Sequence, residues 1–274
     1  MDIVCHENPY VDSVFHVPAE TYTKEQKFHF IGAPSVHEHI ILNDGCALIT
    51  FSIDGKEYEC DGNLICGKFT DIPKIKIVFK NTEKKLTVIR LAPYGIFKLA
   101  QTPVASMVNR VVFGSDIGID AASEQETEAY IARVDSLMSE ASTQKSYRVT
   151  KDIVSYINAN FTHLPTNTAA SIAQRFGISE RSLRRYFKEY LGISLSTYLM
   201  TVKRKKMIQT IYDDNYDSLS VRESGYYDQS HFLNDFKRLY GIPLKQYVHD
   251  MQEMKERSPE LMKFLYHCNI QSDI

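Results

Sequence analysis

The sequence predicts a multidomain α and β protein, with a β-rich, barrel-like N-terminal domain followed by an all-α C-terminal domain carrying two helix-turn-helix units. Three observations predict it. Short β-branched runs divided by Gly-containing turns fill roughly the first 120 of the 274 residues. Beyond about residue 148 the apolar residues recur at helical spacing instead. Within that second half one motif is written twice, its members displaced by 49 residues.

The second copy runs from Gly225 to Lys237 and on to Gly241. Asp228 is suited to accept hydrogen bonds from the free N–H groups of a helix start, and Phe232, Phe236 and Leu239 or Tyr240 recur as one buried stripe. Gly241 ends the helix. The stripe leaves Gln229, Ser230, His231 and Asn234 outward near the N-terminus, short hydrogen-bonding side chains of the kind that read base edges in a major groove.

In the first copy Ser179 is the cap, Leu183 and Phe187 form the stripe, and Phe187-Lys188 precedes Gly192-Ile193, Leu195 and Tyr198. The counterparts are Phe236-Lys237, Gly241-Ile242, Leu244 and Tyr247. Upstream, Ile172-Ala173 and Gly177 supply a short helix and its tight turn, places taken in the second copy by Val221 and Gly225. A helix from about Leu195 to Tyr212 joins the units.

As a set, Ile172-Ala173, Gly177, Ser179, Leu183, Arg185, Phe187-Lys188, Gly192, Arg204, Gly225-Tyr226, Asp228 to Phe232, Phe236-Lys237 and Gly241 resemble the DNA-binding domain of the AraC/XylS family of transcription regulators. The resemblance covers about Asp152 to Asp250 and implies two recognition helices in successive major-groove segments, about one helical turn (~34 Å) apart. It puts base-reading positions on Arg181, Arg184 and Arg185 in the first helix and on Gln229, Ser230, His231 and Asn234 in the second. For Arg204 it suggests a structural ion pair. Within this stretch the sequence departs from the family pattern at three places, and Met251 to Ile274 continues past the family's normal end. The interval from Arg204 to Gly225 is short, Ser220 stands where an aliphatic side chain is normally buried, with Leu219 as its replacement, and the usual proline is displaced to Pro243.

Each of these side chains has a plainer role open to it. An arginine fork suits guanine, but one of the three arginines could touch phosphate alone. Arg185 lies beside the buried stripe, and His231 could pack beside Phe232. Ser179, Lys188, Lys203, Lys205, Lys206 and Lys237 are phosphate-contact candidates, with Lys203 to Lys206 otherwise a solvated face. Residues 151–250 hold 14 Lys/Arg against 10 Asp/Glu, whereas residues 1–150 hold 15 against 20, a modest bias toward the helical half.

In the N-terminal half Ile40 to Leu42, Cys46 to Ile53, Ile75 to Phe79 and Leu86 to Leu91 read as strands, with turns at Asn43-Asp44-Gly45, Asp54-Gly55 and Asp61-Gly62-Asn63. A small barrel or sandwich is expected. This half resembles, less specifically, the cupin-like sensory domain of some AraC-type regulators through its Asp-Gly turn, Gly67 and Arg90-Leu91-Ala92-Pro93-Tyr94-Gly95. The resemblance implies room for a small-molecule effector in the barrel.

The expected domains are 1–120, β-rich and cupin-like; 121–147, a helical linker; 148–250, the double helix-turn-helix domain; and 251–274, a helical extension. In the linker Ser123 and Glu126 form a capping box, and Tyr130, Val134, Leu137, Met138 and Ala141 form an apolar stripe. That stripe packs either on its own barrel or against a second copy. Ser142 to Tyr147 reads as polar linker, and a helix from about Lys151 to Phe161 opens the reading domain. In the extension, Ser258-Pro259 is suited to start a helix faced by Leu261, Met262, Leu265 and Tyr266, capping the domain or touching another subunit.

An enzyme is the rival class. His37-Glu38-His39 puts two imidazoles on one face of a β segment, as in metal-binding cupins, with Asp44 downstream. The glutamate and later histidine of that pattern are missing, and exposed strand histidines are the plainer reading. Cysteines 5, 46, 60, 66 and 268 contain no Cys-x-x-Cys pair, which suits reduced thiols in a cytoplasm. No apolar run suits a membrane span. The expectation is therefore a non-enzymatic, cytoplasmic, sequence-specific DNA-binding activator without a cofactor. Its expected partners are promoter DNA, RNA polymerase, a small-molecule effector and a second copy of itself. A metal-dependent cupin-type enzyme or sensor using His37 and His39, and an effector-independent dimeric regulator, are the alternatives.

Overall fold

A computed structural model describes residues 3–4, 8–17, 19–99, 102–114, 124–165, 167–212, 221–222, 225–259 and 262. The N-terminal strands are β1 (Ile3–Val4), β2 (Val11–Val17), β3 (Lys27–Ile31), β4 (His39–Asn43), β5 (Ala47–Ile53), β6 (Lys56–Cys60), β7 (Leu64–Cys66), β8 (Lys74–Phe79), β9 (Leu86–Leu91) and β10 (Val111–Phe113). All pairings are antiparallel, in a six-stranded sheet ordered β1-β2-β9-β4-β7-β10 and a four-stranded sheet ordered β3-β8-β5-β6. The four runs singled out in the sequence become β4, β5, β8 and β9. Asp54 and Gly55, both at positive φ (51° and 69°), make the two-residue hairpin between β5 and β6.

The six-stranded sheet is buried on both faces. Along β4 and β9 successive side chains go to different cores: Ile41 and Val88 face the space between the sheets, whereas Ile40, Leu42, Ile89 and Leu91 face the helices. This is why these strands read as continuous apolar runs rather than alternating ones.

The helices are α1 (Glu124–Ala141), α2 (Lys145–Asn160), α3 (Thr168–Arg175), α4 (Glu180–Tyr186), α5 (Leu195–Tyr212), α6 (Gln229–Tyr240) and α7 (Leu244–Arg257). A π-helical turn, Phe187–Leu191, continues α4. In α1, Val134, Met138 and Ala141 are buried in the core that also holds Ile40 and Ile89, so the stripe packs on its own chain. Ser123 lies outside the described residues, as does the side chain of Glu126.

The linker expected over 142–147 is instead a short turn running into α2, which starts six residues earlier than the sequence suggests. Tyr147 is fully buried there. Its hydroxyl donates to the Tyr94 carbonyl at 3.1 Å, and its ring meets Tyr190 at 5.3 Å. The apolar core continues unbroken from the six-stranded sheet through α1 and α2 into Leu183, Phe187 and Tyr198. The second unit has its own core of Met207, Ile208, Tyr226, Phe232, Phe236 and Tyr247, closed against the β domain by Ala33.

The C-terminal extension also packs on its own chain. Helix α7 passes residue 250 without a break, Ser258 Oγ donates to Tyr22 Oη at 3.0 Å, and Met262 enters the core between the sheets. Leu261, Leu265 and Tyr266 lie outside the described residues, as do Leu219, Ser220, Cys5 and Cys268.

Candidate nucleic-acid interface

The two reading helices are built the same way. Ser179 Oγ accepts from the Ser182 N–H at 3.1 Å, and the Asp228 carboxylate accepts from the His231 N–H at 2.7 Å, each satisfying a donor that the helix itself leaves free. Gly192 and Gly241 end the helical stretches in the left-handed region, at φ of 75° and 73°, where glycine carries no Cβ penalty. Leu183 with Phe187, and Phe232 with Phe236, are fully buried.

With these stripes inward, Arg181, Arg184 and Arg185 are exposed on α4, and Gln229, Ser230, His231 and Asn234 on α6. Arg184 pairs with Glu180 one turn back at 3.0 Å, and Arg185 lies over the Tyr186 ring at 5.3 Å. His231 does not pack in the core beside Phe232. Its ring meets the edge of Tyr226 at 5.2 Å while remaining exposed.

The phosphate-contact candidates divide. Ser179, Lys188 and Lys237 are exposed, although Lys188 Nζ donates to the Gly192 carbonyl at 3.2 Å and so closes the helix end. Lys205 is only 7% exposed, and its charge acts on buried His37 of the β domain, so it is not a phosphate contact. Lys203 lies over the Tyr226 ring at 3.9 Å, and burial lowers its pKa against the partial compensation of Asp235. Lys206 lies over Phe161 at 5.8 Å. The solvated basic face expected of residues 203–206 is therefore largely turned into packing.

Arg204 bridges the halves of the molecule. Its Nη1 donates to the Thr70 carbonyl at 3.0 Å, and its buried Nε has no hydrogen-bond partner among the described residues. Among the described residues Asp235 pairs with Arg238 and accepts from Tyr226 Oη at 2.7 Å, in place of an ion pair to Arg204. Burial alone would raise the Asp235 carboxyl, but those two bonds, together with the charges of Arg238 and Arg204, outweigh it and hold the pKa below the usual carboxylate range.

Tyr227 was not among the expected site residues, yet it is 82% exposed immediately before the cap of α6. The signal was the Tyr226-Tyr227 pair: with Tyr226 buried on Phe232, its neighbour turns outward.

His37 and His39 are buried, against the expectation of exposed strand histidines, and they do not share one face. His37 Nδ1 lies 2.9 Å from the Leu91 carbonyl, whereas His39 lines the space between the sheets. Both are enclosed because the sheet is covered on each side. Among the described residues no group of three or more His, Cys, Asp or Glu side chains is placed to hold a metal ion. Cys46 and Cys60 are free thiols, and no described helix is long and apolar enough to cross a membrane.

Two capped helices with outward polar residues, joined by one long helix, define a double helix-turn-helix DNA reader. Residues 172–250 match the family model described as a helix-turn-helix domain. These C-terminal residues form a helix-turn-helix domain of the AraC type. No curated protein sequence matches the chain.

Among solved structures the chain is similar to ToxT from Vibrio cholerae, at 12% identity over 86% of this chain and 96% of that one, with a TM-score of 0.44. Unsaturated fatty acid-bound wild-type ToxT from Vibrio cholerae strain SCE256 gives 11% identity over 86% and 93%, with a TM-score of 0.42. The AraC-like transcriptional activator CuxR gives 11% over 77% and 80%, with a TM-score of 0.29. None superposes closely enough to identify corresponding residues.

Proposed function

We infer that the chain activates transcription by binding promoter DNA sequence-specifically, with α4 and α6 entering successive major-groove segments. The observation that carries this reading is that all seven base-reading candidates are exposed on two helices with equivalent caps, while the stripes behind them are buried. Arg181, Arg184 and Arg185 suit guanine edges, Gln229 and Asn234 suit adenine, and Lys188 and Lys237 suit phosphate. The β domain acts as sensor for a small molecule, and the active form is a homodimer in the cytoplasm that contacts RNA polymerase. The β domain performs no catalysis in this reading.

Selection by the full-length chain from a random DNA pool tests it. The expected outcome is a site with two short elements about one helical turn (~34 Å) apart, bound less tightly as salt rises. Failure to enrich any sequence overturns the reading. A reporter placed behind the selected site decides the direction of regulation: activation raises its transcription, whereas a fall assigns repression.

A further inference from the structure

We propose that the space between the two sheets binds a compact, uncharged, largely apolar small molecule of about one ring, and that its entry moves the loops holding the second reading unit. The proposal rests on the sensor reading above and gives it a ligand class and a route.

The wall sets the class. It is built from side chains such as Phe30, Ile49, Phe51, Phe69, Ile77 and Val88, and among the described residues that line it there is no Lys, Arg, Asp or Glu. Its polar side chains are Ser35, His39 and the weakly polar thiol of Cys66. Ser35 Oγ already accepts from the His37 N–H at 3.1 Å and lies 3.4 Å from the His37 carbonyl. A carboxylate or ammonium entering here would lose its water and gain no counter-ion, a cost that apolar contacts do not offset. A charged ligand is therefore not tolerated.

The size sets the coupling. The free volume is about 70 Å³, below the ~150 Å³ that accommodates benzene in an engineered protein core. Even a one-ring occupant must therefore displace part of the wall. The sheet strands are held by their ladders, so the yielding part of the wall is the loops that carry Ser35, Phe69 and Pro73, where residues 32–35 face residues 69–73. Two backbone bonds join these loops, Gly32 N–H to the Pro73 carbonyl and Ser35 N–H to the Phe69 carbonyl, each 2.7 Å.

The outer side of the same loops carries the second unit. Tyr240 Oη donates to the Gly32 carbonyl at 3.3 Å, and Arg204 to the Thr70 carbonyl at 3.0 Å. Ile31, Ala33 and Ile72 pack into the core that holds Phe232 and Phe236. Moving the loops outward thus reorients α6, whereas α4 is fixed through a different part of the β domain, at Val104 and Ala105.

Methyl NMR of isoleucine-labelled full-length chain tests this with toluene, benzyl alcohol and benzoate, three probes of one ring and different polarity. Saturable shifts of the Ile41, Ile49, Ile75 and Ile77 methyls are expected with toluene and benzyl alcohol and not with benzoate at equal concentration. Equal shifts with benzoate, or no saturable shift with any probe, overturn the proposal. Val88→Phe fills the cavity and should weaken benzyl alcohol at least tenfold. Phe51→Leu enlarges it and should admit naphthalene, so the pair distinguishes cavity binding from a folding defect, with circular dichroism as control. Benzyl alcohol should change affinity for the selected DNA severalfold, and Tyr240→Phe should reduce that change. Methyl shifts without any effect on DNA binding uphold the pocket and overturn both the route and the sensor reading, because the shifts are measured without DNA.

Discussion

Arg204, on the helix that joins the reading units, donates to the carbonyl of Thr70 in the β domain at 3.0 Å. A residue at the centre of the DNA-binding half is thus held by the other half. A charge-assisted bond of this kind contributes ~1.5–3 kcal/mol. Arg204→Met should lower unfolding stability by about that much, measured as a lower urea midpoint. Arg204→Lys should lose less if its ammonium reaches the same carbonyl.

Gly192 and Gly241 occupy equivalent places in the repeat but have different surroundings. A Cβ on Gly241 meets nothing within 4 Å, whereas one on Gly192 would lie 2.8 Å from backbone atoms of Val104 and Ala105. Gly241→Ala should cost only the left-handed backbone penalty, ~1–2 kcal/mol. Gly192→Ala should cost clearly more, and the difference between their chemical-denaturation stabilities measures the docking of the first unit on the β domain. Equal losses would show that this contact contributes nothing.

Arg184 is exposed and, among the described residues, pairs with Glu180 on its own helix. Such a pair is readily given up, since exposed i,i+4 pairs contribute ~0.3–0.5 kcal/mol. Arg184→Ala should weaken binding to the selected site by ~1–3 kcal/mol and relax preference at one base pair. A uniform loss across all sequences would reassign it to phosphate.

Glu38 and Lys68 form an ion pair with both side chains 1% exposed. Burial raises the Glu38 pKa and lowers that of Lys68, each against the attraction of the other. Lys68→Met leaves a buried, unpaired carboxylate and should cost ~3–5 kcal/mol, whereas Glu38→Gln combined with Lys68→Met should recover much of the loss. Thermal melts of the two variants decide between coupled and independent roles.

His37 gives the domain contact a pH dependence. Its pKa lies well below the ordinary 6.5, through burial first and then the charges of Lys205, Arg90 and His39, against a backbone bond to Leu91. The unfolded chain therefore binds a proton that the folded chain does not. Stability is retained above about pH 6.5 and lost as pH falls below it toward the folded pKa. Unfolding free energies from pH 7.5 to 5 should show this slope, and His37→Gln should flatten it.

The reading helices were legible because their determinants are local: Asp228 caps the residue three positions on, Gly241 ends the helix, and Phe232 and Phe236 lie one turn apart. Strands such as Val11–Val17 and Lys56–Cys60 were not singled out because Asp12, Ser13, Glu57 and Glu59 interrupt their apolar residues. Lys205 and His37 were misread for a different reason. Their burial arises only when helix α5 meets the sheet, and no property of either neighbouring sequence encodes that meeting. The bond from Arg204 to Thr70 spans 134 residues and belongs to the same class.

The unbroken core from Ile89 and Leu91 on the sheet to Phe187 and Tyr198 in the first reading unit means that the functional division is not a thermal one. Heating the full-length chain should give a single heat-absorption peak, with calorimetric and van't Hoff enthalpies in agreement, because neither half can melt without exposing the other's wall. Severed at the turn before α2, the reading half would present Tyr147 and Tyr190 to water, because Tyr94 and Phe97 cover them. Its solubility, more than its affinity for DNA, would then limit its use in isolation.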